Sequence, residues 1–257
     1  MLFRSAGNAG GSDGVGGGTS NGVGGIGGWG GGGQGGPSQS GLLTNDQDGG
    51  GGGGGGWSGG GGGNNQNGGA GGGSYRSATL NTTYTYCIAM DGANYGNGRV
   101  IIEHLIYQNI PPVDTLFAFR GNVFQYFKVP ATGYYQITAR GAQGGAVNGT
   151  SGGKGAQMQA YFLLRAGDSL KITAGGMGMD GVMNAGWWSG AGGGGSSTVA
   201  SSDTNITYTV NGQLSFTPLI SAGGGGGAAN HINGGPSGPA SDATTSTSGT
   251  FGGIDSS

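Results

Sequence analysis

The sequence predicts an all-β protein, an antiparallel sandwich or jelly roll, joined to a second kind of chain made largely of glycine. Three observations predict it. Short segments alternate apolar and polar side chains with the period of a half-buried strand. No segment sustains a helical period between caps. Glycine, 72 of 257 residues, is spread unevenly: 37 fall in residues 1–76, 13 in 77–174 and 22 beyond.

The strand-like segments follow one another through the middle of the chain at 84–89, 99–107, 115–120 and 123–129. The clearest is 134–140, where Tyr135, Ile137 and Ala139 oppose Gln136, Thr138 and Arg140. In 157–165, Met158, Ala160, Phe162 and Leu164 share a face; in 169–174, Leu170, Ile172 and Ala174 do. Arg165-Ala166-Gly167-Asp168 between them reads as a hairpin turn. Two more strands are expected at 206–210 and 213–220. The block 77–174 carries 13 of the 22 Phe, Tyr and Trp residues, so the apolar core belongs there.

The glycine tracts at 14–36, 49–63, 68–73, 190–195 and 223–227 admit two readings. A tract alone has no side chain to bury and loses the most freedom on ordering, so it stays a linker. Tracts side by side can adopt the three-fold polyproline II conformation and, keeping their N–H groups, bond laterally. The expectation is a bundle of polyglycine II helices on the sandwich.

Composition excludes several classes. Leu, Ile, Val and Phe number 41 of 257, fewer than the roughly one in five that a conventional core needs. The net charge is only −2, with a single glutamate, Glu103, which is not the charge signature of disorder. The glycines come in runs, not at every third position, which excludes collagen. No apolar stretch approaches ~18 residues, so no membrane insertion is expected. The nine Lys and Arg are scattered, so no nucleic-acid partner is expected.

Catalysis and metals find little support. Glu103 and His104 are adjacent in an alternating segment and face opposite ways; His231 lies in a Gly/Asn loop. With Cys87 alone and both histidines distant, no zinc spacing exists. Cys87 itself, in an apolar run, reads as a buried, inert thiol. Gly153-Lys154 lacks the flanking residues of a phosphate loop, with Asn148 and Gly155 at the required positions. Asp13, Asp46, Asp48 and Asp180 stand in contexts that Asx turns explain. The expectation is no catalytic residue, no cofactor and no metal. All four tryptophans, Trp29, Trp57, Trp187 and Trp188, lie in glycine-rich tracts. There they either pack over the bundle or serve as binding residues on a rigid polar platform. Sequons at Asn81, Asn148 and Asn205 are candidate glycosylation sites of a glycoprotein.

A set of motifs resembles the glycine-rich extracellular module of the anaplastic lymphoma kinase and leukocyte tyrosine kinase receptors. It begins with Phe127-Lys128-Val129-Pro130-Ala131-Thr132-Gly133-Tyr134-Tyr135-Gln136-Ile137 and Ala139-Arg140-Gly141-Ala142-Gln143-Gly144-Gly145. Gly152-Gly153-Lys154-Gly155-Ala156 and Leu164-Arg165-Ala166-Gly167-Asp168-Ser169-Leu170-Lys171-Ile172 follow. Gly192 to Gly195 with Ser196-Ser197-Thr198-Val199, and Leu219-Ile220-Ser221-Ala222-Gly223, complete the order. The family's closing strand stands first, as Gly96-Asn97-Gly98-Arg99-Val100-Ile101-Ile102. The resemblance implies a sandwich like that of tumour necrosis factor, carrying a glycine-helix bundle.

Because the closing strand precedes the opening motif, the order is swapped. Leu2-Phe3-Arg4-Ser5-Ala6-Gly7 also repeats the pattern of 219–223. The parse is therefore residues 1–107 as the second half of one module, with glycine tracts in 1–76 and strands in 77–107. A linker at 108–114 follows, broken by Pro111 and Pro112, and 115–257 form the first half of the next module. The halves either belong to a tandem array or dock as one permuted module, and the opening residues, unlike a signal peptide, suit a window of a longer protein. The expected role is a non-enzymatic extracellular or cell-surface structural and adhesive module. Its partners would be a surface protein or glycan, or copies of itself. A ligand-binding ectodomain fragment, and a glycine-helix tip adhesin or ice-binding protein, are the rival readings.

Overall fold

Alternation becomes burial in the strand that shows it best. Tyr135, Ile137 and Ala139 are buried inside the molecule, while Gln136 and Arg140 on the other face stay half-buried. In the computed structural model, which describes residues 31, 49–63, 67–77, 87–105, 114–121, 123–184, 187–188, 190–202, 217–229 and 239–250, the strands in chain order are β1 (Tyr75–Arg76), β2 (Ile88–Asn94), β3 (Arg99–Leu105), β4 (Asp114–Ala118), β5 (Gln125–Lys128), β6 (Gly133–Arg140), β7 (Gly155–Leu164), β8 (Ser169–Thr173), β9 (Met183–Asn184), β10 (Trp187–Trp188), β11 (Ser197–Ser202) and β12 (Thr217–Ala222). No helix occurs among the described residues.

Two five-stranded antiparallel sheets result, with orders β1-β12-β11-β8-β5 and β2-β7-β6-β3-β4; β9 and β10 form a separate pair. The inner faces supply one core. Val100, Ile102, Ile137, Met158 and Phe162 come from the second sheet, and Leu170, Ile172, Val199 and Ile220 from the first. Phe127 of β5 packs edge-on against both Phe117 of β4 and Tyr135 of β6, with ring centroids 6.1 Å and 6.4 Å away. Aromatic rings thus stitch the two sheets together in the edge-to-face geometry such rings prefer. Strands from both sides of residue 107 share each sheet: β1 pairs with β12, and β3 lies between β4 and β6.

Residues 165–168 do not make the expected hairpin. β7 pairs with β6 and β2, whereas β8 pairs with β11 and β5, so this turn arches from one sheet to the other. The Asp168 carboxylate accepts the Arg165 N–H, and Gly167 and Asp168 exchange bonds with Val129, which ties the arch to the end of β5 instead of to a partner strand. Gly167 takes φ 92°, the left-handed turn position. The expected strand 206–210, and 213–216 of the last one, lie outside the described residues, as do 84–86. Cys87 is half-buried, not buried, because it stands just before β2 and packs on the core from its rim.

The described glycine tracts are not linkers, while 14–36 lies outside the described residues apart from Gly31. Half of the strands join them at one end of the sandwich: β6 runs into 141–145, β8 into 175–178 and β12 into 223–228. Tracts 152–154, 190–196 and 67–74 lead into β7, β11 and β1. There the chains bond sideways, and donors and acceptors both advance by three residues. Gly51, Gly54 and Trp57 donate to Asn67, Ala70 and Gly73 at 3.0, 2.7 and 2.9 Å; Gly52 and Gly55 donate to Ala191 and Gly194 at 2.8 Å each.

Tract 223–228 sits in the middle. Its backbone bonds to six described segments: 51–56, 67–73, 141–145, 153–156, 190–195 and Ser241. Every N–H and every C=O from Gly223 to Ala228 has a partner, Gly223 N–H using the Ser74 hydroxyl. Segments 141–145, 152–156, 175–181 and 239–250 join this array although their glycine content did not single them out.

Such proximity leaves no room for a side chain. A Cβ on Gly224 would lie 2.2 Å from the Gly194 carbonyl oxygen and 2.5 Å from its carbon, both backbone atoms that cannot swing away. By contrast, Gly96, at φ 68°, has nothing within 4 Å. Gly224→Ala is therefore expected to cost about 3 kcal/mol or more in urea unfolding, as overpacking against a fixed wall. Gly96→Ala should cost about 1 kcal/mol, the strain of its positive φ alone. Equal losses at the two positions would contradict the close-packed array.

Candidate functional site

The described tryptophan side chain stands at the rim of the glycine array. Tract 51–56 ends at Trp57, whose N–H is bonded to Gly73 O at 2.9 Å. Its indole stacks on the Tyr75 ring with centroids 3.9 Å apart and planes within 15°, and it stays 40% exposed. The next residue, Ser58, donates from its hydroxyl to Thr247 O at 2.6 Å and accepts from Gly249 N–H at 2.7 Å. An open aromatic face thus lies beside a serine- and threonine-rich arm, residues 241–250.

That arm is held by carboxylates. Asp242 accepts the Lys154 N–H and Asp91 the Thr245 N–H, both at 2.6 Å, and Ala243 N–H donates to Lys154 O at 2.9 Å. Asp242 approaches because β2 is irregular between Met90 and Asn94, where Gly92 takes φ 50°; a Cβ there would collide with the Asp242 carboxylate. The Lys154 ammonium lies 4.8 Å from the centre of the Tyr95 ring. Its hydrogen bond to the Tyr95 phenol, then the phenol's charge, then Asp242 hold its pKa above the ordinary lysine value. Desolvation, which favours the neutral amine, works against them and outweighs the Asp242 contribution, but not that of Tyr95. Gly153-Lys154 is accordingly a junction of the glycine array with the arm. Sequence reasoning missed the Asp91–Asp242–Lys154–Tyr95 group because its members are separated along the chain and only the folded array brings them together.

The remaining candidates divide. Trp187 and Trp188 form β10, in register with Asn184 and Met183. Trp29, Asn81, Asn205, His231, Asp13, Asp46 and Asp48 lie outside the described residues. Asn148 is exposed at the tip of a turn closed by the Val147–Thr150 bridge, with φ 46°. Asp180 does not close a local Asx turn: its carboxylate accepts Ala146 N–H at 2.7 Å from a different tract.

Glu103 and His104 face opposite ways, as strand alternation requires. Glu103 accepts the Gln136 amide across the register on the outer face. His104 stacks on Tyr135 at 4.3 Å on the inner side, near the rim of the core. Burial raises the pKa of the Tyr135 phenol, whose O–H donates to Ala131 O at 2.8 Å. Among the described residues no three His, Cys, Asp or Glu side chains gather in a metal-holding group.

These features define a class: an all-β protein of two antiparallel sheets, extended at one end by an array of main-chain-bonded glycine tracts. The chain matches no protein-family model, no curated protein and no solved structure.

Proposed function

We propose that this chain is a non-enzymatic structural and adhesive module of a larger extracellular or cell-surface protein. It is a jelly-roll-like sandwich whose glycine tracts are polyglycine II helices. The observation that carries this reading is the tract 223–228 inside its ring of six described segments, bonded at a three-residue step. Three residues per turn is the repeat of the polyproline II helix, and glycine supplies the lateral N–H that proline lacks. An array fixed by main-chain bonds at contact distance is a stiff platform, which a spacer or adhesive repeat needs and a catalyst does not.

The extracellular setting rests on the motif resemblance to the receptor module and on the exposed sequon at Asn148. Strands from both halves, 1–107 and 115–257, share each sheet, which favours halves docked as one permuted module, with copies of the same chain as its proposed partners in an assembly.

Pulling on a tandem polyprotein of the full chain tests the structural role. A load-bearing module gives repeated, discrete unfolding peaks. A featureless extension, as from a flexible glycine linker, would remove the basis for the proposal.

The exposed indole of Trp57 favours a second reading, a ligand-binding ectodomain fragment. A flat aromatic face beside hydroxyls suits the apolar face of a sugar ring. Under that reading, a panel of neutral oligosaccharides produces a saturable change in tryptophan fluorescence. Trp57→Ala abolishes that change while stability to urea falls by only about 1 kcal/mol, the worth of one aromatic stack. No change with any of the sugars, or the same change in the variant, removes this reading and leaves the structural one standing.

A further inference from the structure

The outer face of the second sheet carries two arginines where elementary electrostatics disfavours them. Arg99 of β3 and Arg140 of β6 are direct cross-strand partners, in a row that runs Ala118, Arg99, Arg140, Gln157, Met90 across all five strands. Like charges directly opposite one another in a sheet repel. The chain has only 20 charged residues in 257, nine of them Lys or Arg, so charge crowding does not force this pairing.

Among the described residues no carboxylate offsets it. The nearest acid along β3 is Glu103, at the far end of the strand from Arg99, and it is engaged by Gln136. Asp91 and Asp242, beyond the far edge of the row, are committed to Thr245 and Lys154. Both arginine Nε–H groups are buried and have no acceptor. A buried N–H without an acceptor is a rare feature and one that a bound ion explains. Consistent with the geometry, desolvation first and the Arg99 charge second lower the pKa of Arg140.

The geometry points to an oxyanion-binding site at Arg99 and Arg140, flanked in the register by Gln157, that takes a tetrahedral oxyanion, free sulfate or the sulfate group of an ester. Two guanidinium groups carry two positive charges and several N–H donors, which match a tetrahedral anion with three or four acceptor oxygens better than a carboxylate with two. The row lies where β3 and β6 meet the bundle: Gly98 and Gly141, the neighbours of the two arginines, bond to Gly175 and Ala156. An anion held there would neutralise the repulsion at the junction of sandwich and bundle. This site stands independently of the module's proposed role.

The test uses the full chain with 15N-labelled arginine and follows the Nε–H resonances by NMR. Sodium sulfate is titrated against sodium chloride at equal ionic strength. Two resonances, assigned by their loss in Arg99→Gln and Arg140→Gln, should move saturably with sulfate and not with chloride. Arg99→Lys and Arg140→Lys, which keep the charge, provide the assignment if the glutamine variants fail to fold, and they should weaken sulfate binding at least tenfold. The absence of a saturable shift, an equal shift in chloride, or unchanged binding in the lysine variants overturns the site. A second arm uses a heparin tetrasaccharide. Half-saturation at a tenfold lower concentration of sulfate groups assigns the site to a sulfated glycan. Half-saturation at the same concentration assigns it to the free ion.

Discussion

The structure depends on backbone hydrogen bonds made between chains too close together to carry side chains. A folded segment that buries its peptide groups must find every one a partner. Tract 223–228 does so with six described segments around it, through donors and acceptors that point outward on all sides. Only glycine, with occasional alanine where space allows, can sit in such a position. At Gly51, Gly54, Gly141, Gly190 and Gly225 a Cβ would come within 1.9 Å of a carbonyl oxygen on another tract. The composition that looks like a poor core is thus the condition for a different kind of interior.

The sandwich and the array support each other. The sandwich has a conventional apolar interior, with Ile102, Ile137, Leu170 and Ile172 fully buried. Its strands leave the core already spaced and oriented, so β6, β8 and β12 deliver their glycine tracts to the array without long connections. Each tract loses much conformational freedom on ordering, and anchoring one end in a sheet reduces what remains to be fixed. The carboxylates of Asp91 and Asp242 then clip the 241–250 arm onto the outside of the array.

The strands with apolar alternation are legible in the sequence, because period two reports burial directly: 134–140, 157–165 and 169–174 fall on the core as read. β11 gives no such signal, since Ser197-Thr198-Val199-Ala200-Ser201-Ser202 carries a single large apolar residue and draws its place from pairing with β8 and β12. A hairpin is the wrong reading of 165–168 because turn chemistry is local, whereas the sheet that the following strand joins is decided by distant partners. Glycine runs announce the array but not its extent: 239–250 contributes serine, threonine and aspartate, and its membership rests on backbone bonds that no residue preference encodes. The Trp57–Tyr75 stack is half legible, as an aromatic in a glycine tract without its partner. The Arg99–Arg140 pair requires the strand register.

The claim that the glycine tracts form a hydrogen-bonded interior is tested most directly by amide hydrogen exchange on the full chain. The comparison is between Gly223–Gly227 with Gly51, Gly52, Gly54 and Gly55 and the strand β6. Because these amides donate to other tracts, they should exchange only through opening as costly as that of β6, giving comparable protection. Exchange of Gly223–Gly227 at random-coil rates while β6 stays protected would contradict the account and return the tracts to linkers.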